Sequence, residues 1–189
     1  MDIKKLLEDY IPFNEKEETD KKVFLQALNH AVDPFIRDNL VAHFTSSSFI
    51  FNKERTKLLM IYHNIYDSWA WVGGHADGDP DLLHVAIKEA KEETGIKHIK
   101  PITDEIFNID TIIVHGHIKK GKYVSDHIHL NVLYLLEAEE NDTLTIKADE
   151  NSNVAWIEIS NLEDYISEIH MIPIYNKILS KAKEKGYLN

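Results

Sequence analysis

Between residues 43 and 158 the sequence reads as strand-forming runs interrupted by a single helical segment. "HFTSSSFIFN" (43–52) and "TKLLMIYH" (56–63) are rich in strand formers and meet at the turn "NKER". "SWAWV" (68–72) reads as a short strand that ends at Gly73 and Gly74. Two long β-branched runs follow later, "IFNIDTIIVHGHI" (106–118) and "YVSDHIHLNVLYLLEA" (123–138), joined through "KKGK" as a hairpin. "VAWIEI" (154–159) is a last short strand. Apolar spacing predicts a helix over 2–10. A second helix is expected to be capped by Thr19 or Asp20, to bury Val23, Phe24, Ala27, Leu28 and Ala31, and to end at Pro34. Two more helices are predicted, over 162–166 and from Pro173 to about Lys185. Strands around one central helix, with helices at both ends, pack best as a mixed sheet flanked by helices, an α/β fold.

The central helix, Leu82 to Thr94, carries the chemistry. At about 100° per residue, Leu82, Leu83, Ala86, Ile87 and Ala90 form a core-facing stripe, with His84, Lys88 and Lys91 opposite. Glu89, Glu92 and Glu93 gather along one edge of that stripe, at spacings that make them neighbours. Glu92 and Glu93 also lie near the helix C-terminus, where the macrodipole disfavours negative charge. Two readings fit: a solvated acidic face, or a site for a hard divalent cation with oxygen ligands. The Gly73-Gly74 turn before the helix lets backbone pass close by, so that a carbonyl can join such a site.

Composition narrows the function. The 189 residues suffice for one domain with a sizeable core. No cysteine is present, which removes disulfides, thiolate metal sites and cysteine nucleophiles together. A formal net charge of −11 without a run of basic residues disfavours a nucleic-acid polymer as partner. No apolar run approaches the roughly 20 residues that span a bilayer. "MDIKKLLEDYI" has no signal-peptide core, so a cytoplasmic protein with no membrane partner is expected.

The stretch from Gly74 to Ile96 resembles the Nudix box, in which a glycine precedes a glutamate and then an arginine-glutamate, glutamate-glutamate and glycine series. Gly74 fits the first position, and "KEAKEETGI" (88–96) fits the distal half. Pro80 stands where the family has its first glutamate and Lys88 where it has arginine. In the family those two residues form a bracing ion pair; here Lys88 is expected to pair with Asp79 or Asp81, as a point charge in place of a planar fork. The resemblance implies a Nudix-like α/β/α sandwich over 41–189, with residues 1–40 as an N-terminal helical extension that caps the cleft or supports a homodimer. It further implies a hydrolase of phosphorus-containing acid anhydrides, acting on a nucleoside diphosphate derivative with Mg2+ or Mn2+. By position, Glu92 and Glu93 resemble metal ligands and Glu89 a ligand or a catalytic base. The carbonyl of Gly74, or as second choice Gly73, would complete the metal site. Glu150, ahead of the last strand, matches an additional catalytic acid that family members often carry, with Asp149 as fallback.

Other features have weaker readings. His115 and His117 share a strand face, as do His127 and His129; the four together would suit zinc, or serve only packing. His75, His127 and His129 are candidate substrate contacts. Trp69 and Trp71 are candidates for stacking a base, and Trp156 for the core. Ser46 to Ser48 lack the Gly-x-Ser-x-Gly setting of a nucleophile. The altered Pro80 and Lys88 leave open a Nudix fold that senses a nucleotide without cleaving it. An isopentenyl diphosphate isomerase on this fold is disfavoured, because that chemistry uses a cysteine.

Overall fold

A computed structural model describes residues 2–119 and 121–188. The strands are β1 (Ala42–Phe51), β2 (Lys57–His63), β3 (Ser68–Ala70), β4 (Val72–His75), β5 (Ile99–Pro101), β6 (Asn108–Val114), β7 (His117–Lys119), β8 (Lys122–Val124), β9 (His127–Ala138) and β10 (Asn151–Glu158). The helices are α1 (Ile3–Asp9), α2 (Glu15–Leu28), α3 (Leu82–Thr94), α4 (Leu162–Tyr165) and α5 (Ile172–Glu184).

β1 is the spine. It runs parallel to β9 along its whole length, from Ala42 opposite Ile128 to Phe51 opposite Glu137. Its other edge is shared between β4, opposite Thr45 to Ser48, and β2, opposite Ile50 and Phe51. β9 in turn pairs with β6 and β5, and β2 with β3 and β10, giving an eight-stranded mixed sheet. Side chains alternate between faces along a strand, so β1 feeds two cores. Phe44 and Ile50 face a core shared with Ile3 and Leu7 of α1, Phe24 of α2, and Leu82, Ala86 and Ala90 of α3. Phe49 and Phe51 face a second core closed by Leu162 of α4 and by Tyr175, Ile178 and Ala182 of α5. The sandwich expected from the sequence is present, with helices on both faces of a mixed sheet.

Several boundaries differ from expectation. "SWAWV" is two strands: β3 pairs with β2, the chain breaks at Trp71, and β4 continues through both glycines along β1. The long hairpin is formed by β6 and β9, while β7 and β8 peel away as a separate ribbon at its tip. Lys120, within the expected turn, lies outside the described residues. β5 had no counterpart in the sequence reading. Helix α3 spans the expected residues, with the Asp81 side chain accepting from the His84 N–H and Gly95 at φ 72° ending it.

The N-terminal helix α2 departs most. It begins at Glu15, not near Asp20, because Asn14 caps it by accepting the Glu17 N–H. Its end is Leu28, six residues before Pro34. Of the expected apolar face only Phe24 is buried; Val23 is exposed, and Ala31, also exposed, lies beyond the end of the helix. The buried positions include Glu17 and Asp20 instead. Glu17 accepts from Tyr10 Oη at 2.5 Å and Lys181 Nζ at 3.0 Å, and lies 3.1 Å from Lys177. Lys177 and Lys16 also reach Asp110, at 2.8 and 2.7 Å. Asp20 accepts from the Thr111 hydroxyl at 2.8 Å. Burial works against the Glu17 charge, but Tyr10, Lys181, Lys177 and the Phe13 N–H together hold its carboxyl below the usual range. The extension is thus fastened to β6 and α5 by buried charge as well as by the apolar contacts of Ile3, Leu7 and Phe24.

Removing one member of this network weakens the rest. Lys181→Met should lower unfolding free energy by about 1–3 kcal/mol, because the buried Glu17 carboxylate loses one charged partner while keeping Tyr10, the Phe13 N–H and Lys177. The Glu17→Gln/Lys181→Met double variant should lose less than the single changes summed, as read by urea unfolding.

Candidate active site

The site grows from a close approach between α3 and β4. Gly73 and Gly74 lie opposite Ser47 and Ser46 of β1, so small residues face each other across the strand pair. A Cβ on Gly74 would fall 2.5 Å from Glu89 Cδ, and one on Gly73 would fall 2.6 Å from the Ser46 carbonyl oxygen. Only glycine leaves room for the helix carboxylates to reach the strand backbone. The Gly73 N–H donates to Glu93 at 3.1 Å. The Ser46 hydroxyl donates to the Leu82 carbonyl at 2.5 Å and ties down the start of the helix.

The buried side of α3 is therefore not purely apolar. Glu89 and Glu93 are 8% and 2% exposed, as buried as much of the core, and Val85 is buried while Leu83 and Ile87 are only partly so. Glu92 points outward, its side chain 44% exposed. A third carboxylate arrives from the turn before β10. The Glu150 and Asn151 N–H groups both donate to the Lys147 carbonyl, and the Asn151 side chain donates to the Glu93 carbonyl at 3.0 Å. Glu89, Glu93 and Glu150 can each offer an oxygen such that all lie within 4.8 Å of one another. Asp149 is exposed.

Burial pushes the Glu93 carboxyl up to about 8; the Gly73 N–H opposes this, and Glu89 and Glu150 add to it. Burial likewise raises Glu89, against the pull of Lys147 and Lys88. Lys147, which the sequence reading did not single out, stands 2.9 Å from Glu150, 3.5 Å from Glu92 and 4.0 Å from Glu89. Burial opposes its charge, yet these carboxylates hold its ammonium above the ordinary range. Nothing local marks Lys147: it comes together with α3 only through the fold.

The loop that joins β4 to α3 is braced differently from expectation. Lys88 lies 3.7 Å from Glu89 and 3.9 Å from Glu92, and acts on Asp79 only as a weaker charge. Asp79 takes His84 Nδ1 at 2.7 Å and the Asp81 N–H at 2.9 Å. The planar fork comes from outside the helix: Arg37 donates to both oxygens of Asp77, at 2.6 and 2.7 Å. The Gly78 N–H donates to the Phe35 carbonyl and the Ala76 N–H to the Phe44 carbonyl, so the segment before β1 and the start of β1 itself hold this loop.

Both carboxylates and loop border a cleft of about 820 Å³, within the range of small-molecule sites. Trp71 and Tyr66 line it, as do His75, His127 and His129. Trp69 packs against the second core, and Trp156 is half-buried against the first. The two His-x-His pairs do not meet as a set of four. His115 is exposed beside Asp126, whereas His127 and His129 join His43 and His75, which three neighbouring strands carry. The register explains this: His43 lies opposite His129, and His75 opposite Thr45, two residues along β1. Burial, then the nearby histidines, pushes His129 down to about 2. His43 was missed because its partners are remote in sequence.

Residues 42–177 match the family model of the NUDIX domain, and the chain belongs to that family. It is accordingly a hydrolase of the class that cleaves phosphorus anhydrides. An RNA pyrophosphohydrolase of Pelagibacter ubique is 27% identical over 123 residues, spanning 61% of this chain and 75% of that protein. A Caenorhabditis elegans Ap4A hydrolase in a binary complex shares the fold with a TM-score of 0.53 at 20% identity, over 72% of this chain and 95% of its own. A NUDIX-family hydrolase of Clostridium perfringens does so with a TM-score of 0.53 at 21% identity, over the same shares. Among the described residues no helix is long and apolar enough to cross a membrane.

Gly74→Ala should displace Glu89 without unfolding the sheet, since the clash is with a side chain. The expected outcome is a fall in kcat of at least about tenfold with a melting temperature shifted by a few degrees. Gly73→Ala clashes with backbone and should destabilise the protein more, as differential scanning calorimetry would report.

Proposed function

We propose that the protein is a divalent-metal-dependent pyrophosphohydrolase that cleaves the diphosphate linkage of a nucleoside diphosphate derivative. One observation carries this reading: Glu89, Glu93 and Glu150 converge within 4.8 Å in the wall of the cleft. The donor set fits a hard cation. Its donors are oxygens, and Glu89 and Glu93 are buried with carboxyls held above their usual range. Glu89, Glu93 and the Gly74 carbonyl would hold Mg2+ or Mn2+, with Glu92 at the rim. When bound there, the ion neutralises phosphate oxygens and lowers the pKa of an attacking water.

The chain's own groups supply positioning and proton transfer. The Gly73 N–H orients the Glu93 carboxylate, and the bare Gly74 seats Glu89. Glu150, fixed by the turn at Lys147, accepts the proton of the attacking water. Trp71 and Tyr66 offer aromatic faces to a base. His75, His127 and His129 border the region where the rest of the substrate lies. The net charge of −11 weighs against binding the body of an RNA, so a small nucleotide is favoured over the substrate of the Pelagibacter relative.

The test is phosphate release with Mg2+ or Mn2+ from nucleotide sugars, dinucleotide polyphosphates, ADP-ribose, oxidised nucleoside triphosphates and 5′-triphosphorylated RNA. Turnover on at least one is expected, with loss on chelation. Glu93→Gln, which removes a metal ligand, should lower kcat by at least about 10²-fold. Unchanged turnover in a Glu92→Gln/Glu93→Gln double variant would refute the assignment, and binding without release would assign the fold to sensing.

A further inference from the structure

We infer that His43, His75, His127 and His129 form a second metal site, for a late first-row divalent cation of the zinc type, in the same cleft as the carboxylates. Each offers one ring nitrogen such that all four lie within 4.8 Å of one another. Tetrahedral zinc with Zn–N bonds of about 2.0–2.1 Å places its nitrogens about 3.3 Å apart. His127 Nε2 and His129 Nε2 already stand 3.2 Å apart. The ring centroids of His43 lie 5.1, 4.9 and 5.2 Å from those of His75, His127 and His129. Small side-chain rotations therefore suffice to close the set.

The outer contacts point the same way. His43 Nδ1 is 2.9 Å from the Asn39 carbonyl oxygen, and His127 Nδ1 is 2.8 Å from that of Ser125. A carbonyl only accepts, so in both rings Nδ1 carries the proton and Nε2 presents its lone pair. This is the arrangement by which ligating histidines are oriented from behind. His43 Nε2 is buried with no hydrogen-bond partner, although His43 is only 4% exposed. A buried acceptor left unmatched inside a ring of imidazoles is what a cation would satisfy. A hydrogen bond from His129 Nε2–H to His127 Nε2 accounts for the facing pair in the absence of an ion, but packing alone does not account for the His43 orphan.

The donor type separates the two sites. Imidazole nitrogens favour zinc, cobalt, nickel or copper over magnesium, whereas the carboxylates favour the hard ions. His75 directly follows Gly74, so an ion here would tether the end of β4 that seats Glu89. These histidines would then meet an anionic substrate through a positive ion.

The test uses tag-free full-length protein stripped of metal and titrated with Zn2+ against a chromogenic chelator, with excess Mg2+ present. About one tight equivalent is expected. It should weaken at least about tenfold in His127→Gln and in His129→Gln, and persist in Glu93→Gln. Co2+ added to the wild-type protein should give the visible bands of a tetrahedral nitrogen site, which needs no variant to fold. Absence of both zinc uptake and these bands overturns the inference. So does zinc affinity that survives in the two histidine variants, or that disappears in Glu93→Gln. The Glu93→Gln result on turnover is independent of these readings, so failure here leaves the proposed hydrolysis standing.

Discussion

Everything at the candidate site depends on how closely α3 can lie against β4. Two residues without side chains, facing serines across the strand pair, allow a helix to bring two carboxylates onto strand backbone. Any larger side chain at Gly74 would occupy the space of Glu89 itself. Once that approach exists, Glu93 must accept the Gly73 N–H and lose its water. The acids gathered there are poorly solvated, their carboxyls are held above the usual range, and Lys147 and Lys88 offset them only in part. Burial of acids is unfavourable unless something positive compensates. The same packing contact that closes the core therefore creates the demand for a cation.

Sheet register does comparable work on the other wall of the cleft. β1 lies between β4 and β9, antiparallel to one and parallel to the other. Its alternate residues send Phe44 and Ile50 into the core beneath α3 and turn His43 and Thr45 toward the cleft, where Thr45 donates to Asn131. A one-residue slip in either pairing would reverse these faces and disperse the histidines. The extension before β1 contributes as well. Arg37 fixes Asp77 and Phe35 receives the Gly78 N–H, so the loop leading into α3 is held by a segment outside the matched family region of 42–177.

Some of this was legible in the residues. α3 could be placed at both ends because its signals are local: a capping aspartate, helical spacing, and a glycine able to adopt positive φ. Glu89, Glu93 and Gly74 were readable because they sit in one contiguous stretch. The start of α2 was placed too late, at Thr19 or Asp20, since Glu17 and Asp20 do not look like buried helix positions until Lys177, Lys181 and Thr111 are brought to them. "SWAWV" was misread for a similar reason: which strand each half pairs with is decided elsewhere in the sheet. His43, Arg37 and Lys147 carried no signal: His43 and Arg37 meet His75 and Asp77 from more than 30 positions away, and Lys147 reaches Glu89 and Glu92 of α3 only through the fold.

The sequence alone determined the alternation of strands around one helix, the acidic edge on that helix and the glycine bend before it. These follow from short-range periodicity and backbone freedom, which neighbouring residues set. Tertiary structure decided which carboxylates are buried, that Glu150 joins them, and that four histidines from three strands meet. Those outcomes depend on strand register and on the depth to which a helix sinks against a sheet. Both are fixed by packing between distant segments, and neither leaves a trace in local spacing.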